Sequence, residues 1–226
     1  QELLLGVGGI RALNALSINP DVYHCNEGHA AFIGIERINR LINKEKLSFA
    51  ESLEVVRSTS LFTTHTPVPA GHDAFPENLL RTYIAHYPER LKIPWEQFID
   101  LGKINFDNPN EKFSMSFLAA NLSQEVNGVS MLHGKVSQDI FKNMWPGYFP
   151  DELHIGYVTN GVHFPTWASA DWKNLCNIEL GAEFADHNYS AECWNKVYAL
   201  GDSKIWEIRQ IQKKNLVNYI RARLLE

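Results

Sequence analysis

Two short stretches end in the same way, with an apolar, strand-like run that delivers polar groups and a histidine. They are Val22-Tyr23-His24-Cys25-Asn26-Glu27-Gly28-His29 and Leu61-Phe62-Thr63-Thr64-His65-Thr66-Pro67-Val68-Pro69-Ala70-Gly71. In open α/β sheets, ligands bind just beyond the carboxyl ends of strands. Two such ends side by side would place Glu27, His29 and His65 around one crevice, and Val158-Thr159-Asn160-Gly161-Val162-His163 offers a third polar turn to close it. Imidazoles in such a crevice suit the binding of neutral hydroxyl groups, as donors or acceptors that need no charge.

Each motif has a plainer reading beside the functional one. Gly28, in the first turn of a helix, lets a ligand or another backbone come close. The turn's amides favour a nearby anion. Glu27 equally suits a complement to the helix dipole, and His29 a hydrogen-bonded core histidine. His65 is sharper, because Pro67 keeps Thr66 extended. Pro69-Ala70-Gly71-His72-Asp73 reads as a rigid turn, with Asp73 a salt-bridge partner or His72 a surface histidine.

Other chemistries lack their signatures. His24, His29, His65 and His72 match no zinc-ligand spacing, so no metal site is expected. Gly6-Val7-Gly8-Gly9 has no strand before it, fails the dinucleotide pattern and reads as a tight turn. No phosphate-binding P-loop and no nucleophile elbow is present. Trp145, Tyr148, Phe149, Phe164 and Trp167 would serve either sugar stacking or packing between domains.

The elements that must position these residues follow from periodicity. Residues 2–18 read as a helix ending near Asn19-Pro20, and Val22–Cys25 as a strand. Ala30–Ile42 repeats Phe32, Ile35, Ile38, Leu41 and Ile42 at helical spacing. A second helix over residues 48–57 opens with a capping box at Ser48 and Glu51. Residues 60–64 form the next strand, and a crossover this long permits parallel pairing. Helices are expected over 76–87 and 95–102, a polar loop over 103–112, and two helices over 114–143 interrupted near Val126-Asn127-Gly128. The region 145–167 reads as a hinge with a strand at 154–158. Helices at 172–180 and 191–225 follow, the last with Ile205, Ile208, Ile211, Leu216, Tyr219 and Ile220 along one side.

The composition is ordinary for a globular chain: of 226 residues, 45% are hydrophobic and 21% charged. Net charge is −5, and no basic stripe marks a nucleic-acid or membrane surface. Three cysteines, Cys25, Cys176 and Cys193, form no CxxC pair and fit reduced thiols in a cytoplasmic protein. No run is long enough to span a bilayer, and no signal peptide is evident. Both ends fall inside apolar or helix-like segments, so the chain reads as a piece of a longer protein.

Four blocks carry a family resemblance: 22–32 (Val-Tyr-His-Cys-Asn-Glu-Gly-His-Ala-Ala-Phe), 62–73 (Phe-Thr-Thr-His-Thr-Pro-Val-Pro-Ala-Gly-His-Asp), 126–134 (Val-Asn-Gly-Val-Ser-Met-Leu-His-Gly) and 158–167 (Val-Thr-Asn-Gly-Val-His-Phe-Pro-Thr-Trp). Together with Leu3–Leu13, they resemble α-glucan (glycogen or maltodextrin) phosphorylases of the bacterial branch, in order and over essentially the whole chain. The resemblance implies an α/β fold, part of a two-lobed Rossmann-like GT-B glycosyltransferase, helix-rich with few parallel strands. Residues 1–157 would be the latter part of the N-terminal lobe, and 158–226 the crossover and first helices of the C-terminal lobe. It also implies retaining transfer of glucosyl units from an α-1,4-glucan to inorganic phosphate, with pyridoxal phosphate held by a lysine outside this chain.

Carried over by motif, His65 would bind the glucosyl residue, its backbone carbonyl helping to stabilise the cationic transition state. Asn160 would hydrogen-bond the sugar near its 6-hydroxyl, and Glu27 and His29 would line its other side. Asn127 and Val129 would lie close beneath. Partners would be the glucan, phosphate and the remaining parts of the same protein. Two other readings stay open: a nucleotide-sugar glucosyltransferase of the same kind, and a non-catalytic glucan-binding module. The resemblance leaves the phosphate-binding groups outside residues 1–226. The purified 226-residue chain is therefore expected to release no glucose 1-phosphate from maltodextrin and phosphate, and robust release would overturn the expectation.

Overall fold

In the computed structural model, residues 1–68, 71–105, 108 and 110–224 are described; Pro69, Ala70, Phe106, Asp107, Pro109 and Leu225, which fall in segments assigned above, lie outside them. The chain divides into two compact units, Gln1–Asn160 and Gly161–Glu226.

The first unit is built on four short parallel strands in the order β1 (Tyr23–Asn26), β2 (Ser60–Thr63), β5 (Glu125–Gly128) and β6 (Ile155–Tyr157). A helical stretch opens it, changing from a π-helix at Leu4–Gly8 to α1 (Gly9–Ala15). The glycines expected to form a turn therefore sit in helical backbone, and at Gly6 close packing outweighs a poor helix propensity. A Cβ on Gly6 would lie 2.7 Å from the Cβ of Phe32 and 2.9 Å from the Ile33 amide nitrogen. Strand β1 (Tyr23–Asn26) follows, then α2 (Phe32–Arg40) and α3 (Phe49–Ser58). The apolar spacing of α2 works as read, with Phe32, Ile35, Ile38 and, beyond it, Ile42 all buried. The capping box of α3 also forms: Glu51 Oε2 accepts from the Ser48 N–H at 2.8 Å, and Ser48 Oγ accepts from the Glu51 N–H at 3.3 Å.

Strand β2 (Ser60–Thr63) pairs parallel with β1. The segment back to the sheet carries a small antiparallel pair, β3 (Ala74–Phe75) with β4 (Phe113–Ser114), enclosing α4 (Glu77–Ile84), α5 (Tyr87–Leu91) and α6 (Trp95–Asp100). Helix α7 (Met115–Asn121) leads into β5 (Glu125–Gly128), α8 (Met131–Phe141) and β6 (Ile155–Tyr157). The break expected near Val126-Asn127-Gly128 is thus an inner strand, hydrogen-bonded to β2 on one side and β6 on the other.

The core lies where these helices cover the sheet, and Phe62, Phe98, Phe113, Phe141, Met115 and Leu118 are fully buried in it. One buried carboxylate is tied into the helix layer. Glu36 accepts from Arg11 Nε at 3.0 Å and from the Tyr87 hydroxyl at 2.9 Å, joining α1, α2 and α5. Burial and the Glu36 charge push the Tyr87 hydroxyl up to about 12, so it stays a donor. A charge buried with this many partners is tolerated where an unpaired one would not be.

The second unit contains α9 (Phe164–Trp167), α10 (Ala170–Glu179), α11 (Phe184–His187), α12 (Ala191–Asn195) and α13 (Asp202–Arg223). Its core is small: Cys176, Leu180 and Phe184, with Phe184 edge-on to Phe164 at 5.1 Å and to Trp194 at 5.0 Å. The single helix expected over 191–225 breaks before α13, at Leu200-Gly201, and no described residue of α13 is buried. No helix among the described residues is long and apolar enough to cross a membrane.

The Gly6 contact sets a stability test. Gly6→Ala drives a methyl group against backbone that cannot yield, costing about 1–3 kcal/mol in urea denaturation; an unchanged midpoint would contradict the packing described.

Candidate functional site

The register of the parallel sheet brings the motifs together. Asn26 pairs with Thr63, Thr63 with Asn127, and Asn127 with Gly156. The residues that follow each strand therefore emerge at one carboxyl edge: Glu27 and His29 after β1, His65 and Thr66 after β2, Val129 after β5 and Asn160 after β6.

Glu27 holds the first two strand ends to each other. Its Oε1 accepts from the His65 backbone N–H at 2.5 Å and from the Thr66 hydroxyl at 3.1 Å. Its own backbone N–H donates to Thr63 C=O at 2.8 Å. Glu27 adopts φ 62°, ψ 176°, a region that only glycine enters freely. The residue beyond it, Gly28, is tight for a different reason: a Cβ there would lie 3.0 Å from Met115 Cβ and 3.1 Å from the Ser116 nitrogen. Of the two readings of that glycine, close backbone approach is realised, against the start of α7.

His65 is exposed, and its Nε2 bonds Asn26 Oδ1 at 2.8 Å. An amide oxygen only accepts, so the Nε2 carries the proton and Nδ1 is free to accept one. His29, exposed, and Asp73, half-buried, hydrogen-bond at 3.0 Å, which makes Asp73 the partner of His29. His72 is half-buried rather than on the surface, edge-on to Phe141 at 5.8 Å and bonded through Nδ1 to Ser116 Oγ at 2.7 Å. Burial lowers its proton affinity, so it favours the neutral ring.

Asn127 is buried beneath this row. Its Oδ1 accepts from the Thr63 hydroxyl at 3.1 Å, and its backbone carbonyl accepts from the Thr64 N–H at 3.0 Å. The Val129 carbonyl accepts from the Asn160 N–H at 3.1 Å, and Gly128 C=O from the Val158 N–H at 3.0 Å. The structure thus places Glu27, His29, His65, Asn127, Val129 and Asn160 along one sheet edge, within the first unit. His163 belongs to the second unit. Motif reading passed over Thr63 and Asn26, whose side chains support Asn127 and His65; their position at paired strand ends is the signal that could have found them.

Cys25 lies under the same edge, its thiol donating to Glu27 C=O at 3.1 Å, and burial pushes that thiol up to about 11. It is a packing group, not a nucleophile. Among the described residues no cluster of three or more metal-ligating side chains occurs.

The sequence compares with known proteins along this whole site. Residues 13–225 match the family model of carbohydrate phosphorylases. The chain belongs to the carbohydrate phosphorylase family. It is 42% identical to a glycogen phosphorylase of Mycobacterium tuberculosis over 99% of its own length and 26% of that protein's. It is 38% identical to a maltodextrin phosphorylase of Thermococcus litoralis, over 100% of this chain and 26% of that protein. For a glycogen phosphorylase of Aquifex aeolicus the identity is 31%, covering 100% and 32%. The chain spans about a quarter to a third of the length of these curated relatives.

Glu27 gives the test of this geometry. Glu27→Ala loses the carboxylate bonds and keeps the strained backbone, whereas Glu27→Gly loses the bonds but relaxes it. The alanine variant is expected to be less stable by about 1–3 kcal/mol, inverting the usual order; alanine equal to or better than glycine in thermal melts would refute the strain.

Proposed function

We propose that this chain forms one wall of the glucosyl-binding site in a retaining α-1,4-glucan phosphorylase, which passes a glucosyl unit from a glucan end to inorganic phosphate and yields glucose 1-phosphate. The observation that carries this reading is the row of hydrogen-bonding groups at four adjacent strand ends, the neutral amides of Asn26, Asn127 and Asn160 among them and the Glu27 carboxylate taken up by His65 and Thr66, in a member of the carbohydrate phosphorylase family. Such amides bind hydroxyls without adding a charge of their own, and fixed dipoles act most strongly where water is excluded.

His65 is the residue assigned to the sugar at the reacting centre. Its backbone is anchored by Glu27 and its ring by Asn26, so Nδ1 is left to accept from a sugar hydroxyl, while the neighbouring carbonyl dipole faces developing positive charge. Asn160 takes the hydroxyl at the sugar's far end. Glu27 and His29 stand on the β1 side, Val129 lies against the sugar, and Asn127 supports both inner strands from below.

The rest of the enzyme is assigned to other parts of the same protein. The division at Asn160 supports reading residues 1–157 as the end of an N-terminal lobe, with 158–226 as the crossover and first helices of a second. The exposed apolar side chains Trp206, Leu216 and Tyr219 on α13 support a partner surface there. Pyridoxal phosphate, which the family implies, has no attachment residue at this edge. The buried lysine, Lys103, lies 3.7 Å from Glu77, in a cleft with Arg57 and Asn121 beside the entry to β2. Three free thiols suit a cytoplasmic setting.

The test is phosphorolysis of maltodextrin by the full-length protein that contains this chain. His65→Ala should lower kcat/KM roughly 100-fold or more. Glucan elongation from ADP- or UDP-glucose, without phosphorolysis, would replace this reading with that of a nucleotide-sugar glucosyltransferase.

A further inference from the structure

Both backbone polar groups of Val129 are used, and they lead in opposite directions. Its carbonyl accepts from the Asn160 N–H at 3.1 Å, while its N–H donates to His133 Nδ1 at 3.1 Å. His133 is the third residue of α8, whose N-cap is Ser130, and Ser130 Oγ accepts from the His133 N–H at 3.2 Å. In a capping box, a Glu or Gln at this place reaches back to the N-cap amide. Here an imidazole reaches one residue further, out of the helix and into the turn after β5.

Several facts fix that ring. His133 is 8% exposed, and its backbone carbonyl accepts from the Ser137 hydroxyl at 2.8 Å. Gly128 lets it come close, since a Cβ there would lie 2.9 Å from His133 Nδ1 and 2.7 Å from the Gly134 nitrogen. A ring nitrogen that accepts from an amide N–H carries no proton, so the neutral ring holds its hydrogen on Nε2. The opposite arrangement would set two donors against each other, whereas this one leaves only the Nε2–H, which is buried without a hydrogen-bond partner among the described residues, unpaired.

We propose that His133 is the positioning residue of the glucosyl pocket: with its proton on Nε2, it fixes the Val129 amide through Nδ1 and, through the Val129 carbonyl, the backbone of Asn160. One histidine thus sets the placement of two pocket residues on neighbouring strands without touching the sugar. The meaning of the pocket rests on the phosphorylase reading; the linkage does not.

Three substitutions in the full-length protein separate positioning from simple helix capping. His133→Asn puts an amide oxygen where Nδ1 stands, since both atoms are three bonds from Cα. His133→Leu fills the space with no acceptor, and Ser130→Ala removes the cap while leaving the imidazole. Backbone hydrogen exchange over 126–133 and 155–162 should quicken about tenfold in His133→Leu, and KM for maltodextrin should rise about tenfold while kcat changes less. His133→Asn should stay within roughly threefold of the parent on both measures. Ser130→Ala should loosen the first turn of α8 and leave the Val129 amide protected.

Equal exchange in the Leu and Asn variants, or loss of Val129 protection in Ser130→Ala alone, overturns the proposal. A parent protein without phosphorolytic activity overturns the functional reading, while the exchange data still decide the linkage. If His133→Leu does not fold, solid-state NMR of [15N]histidine-labelled protein decides, with His133→Asn supplying the assignment: a proton on Nδ1 of His133 excludes the bond to Val129.

Discussion

Everything at the candidate site depends on strand register. Asn26, Thr63, Asn127 and Gly156 stand in one row across the parallel sheet, so the turns after all four strands leave at the same level. A slip of one residue in any pair would turn every side chain of that strand to the opposite face. The core resists such a slip: Phe62 and Val126 are buried on neighbouring strands, and exchanging them for Thr63 or Asn127 would bury polar groups without their partners. The burial of a few apolar side chains therefore decides where the polar ones stand.

A second layer turns alignment into rigidity. Thr63 links to Asn127 by their side chains, Glu27 grips the backbone of His65, and the turn after β5 is tied to the end of β6. Each bond crosses between strands, so the groups at the edge move together or not at all. An edge tied in this way is ordered before any ligand arrives, which would reduce the ordering cost of binding.

The parts of the fold legible in the sequence are those where local and tertiary forces agree. Helix α2 shows its buried face in the spacing of Phe32, Ile35 and Ile38, and α3 announces its start with Ser48 and Glu51. Strands β1 and β2 were visible because apolar residues ran straight into polar turns. Strand β5 was not. Glu125-Val126-Asn127-Gly128 holds one good strand former, and only pairing on both sides makes it extended. The glycines before α1 misled for the mirror-image reason, since the close approach of Phe32 is invisible in a linear sequence. The six motif residues were found by type and place, whereas the division of labour among them was not, because whether a carboxylate lines a pocket or holds a neighbouring loop depends on a contact across strands.

The backbone of Glu27 carries a wider consequence. Backbone preference alone would favour glycine at a position with φ 62° and ψ 176°, where conformational strain costs about 1–3 kcal/mol and the carboxylate bonds to His65 and Thr66 offset it. A side chain at such a position exchanges local strain for a fixed neighbouring turn. Efforts to raise the heat tolerance of this protein by relaxing unfavourable backbone geometry would reach this residue early. They would relax the backbone and release the His65 turn together, so a melting point alone would not reveal what the site had lost.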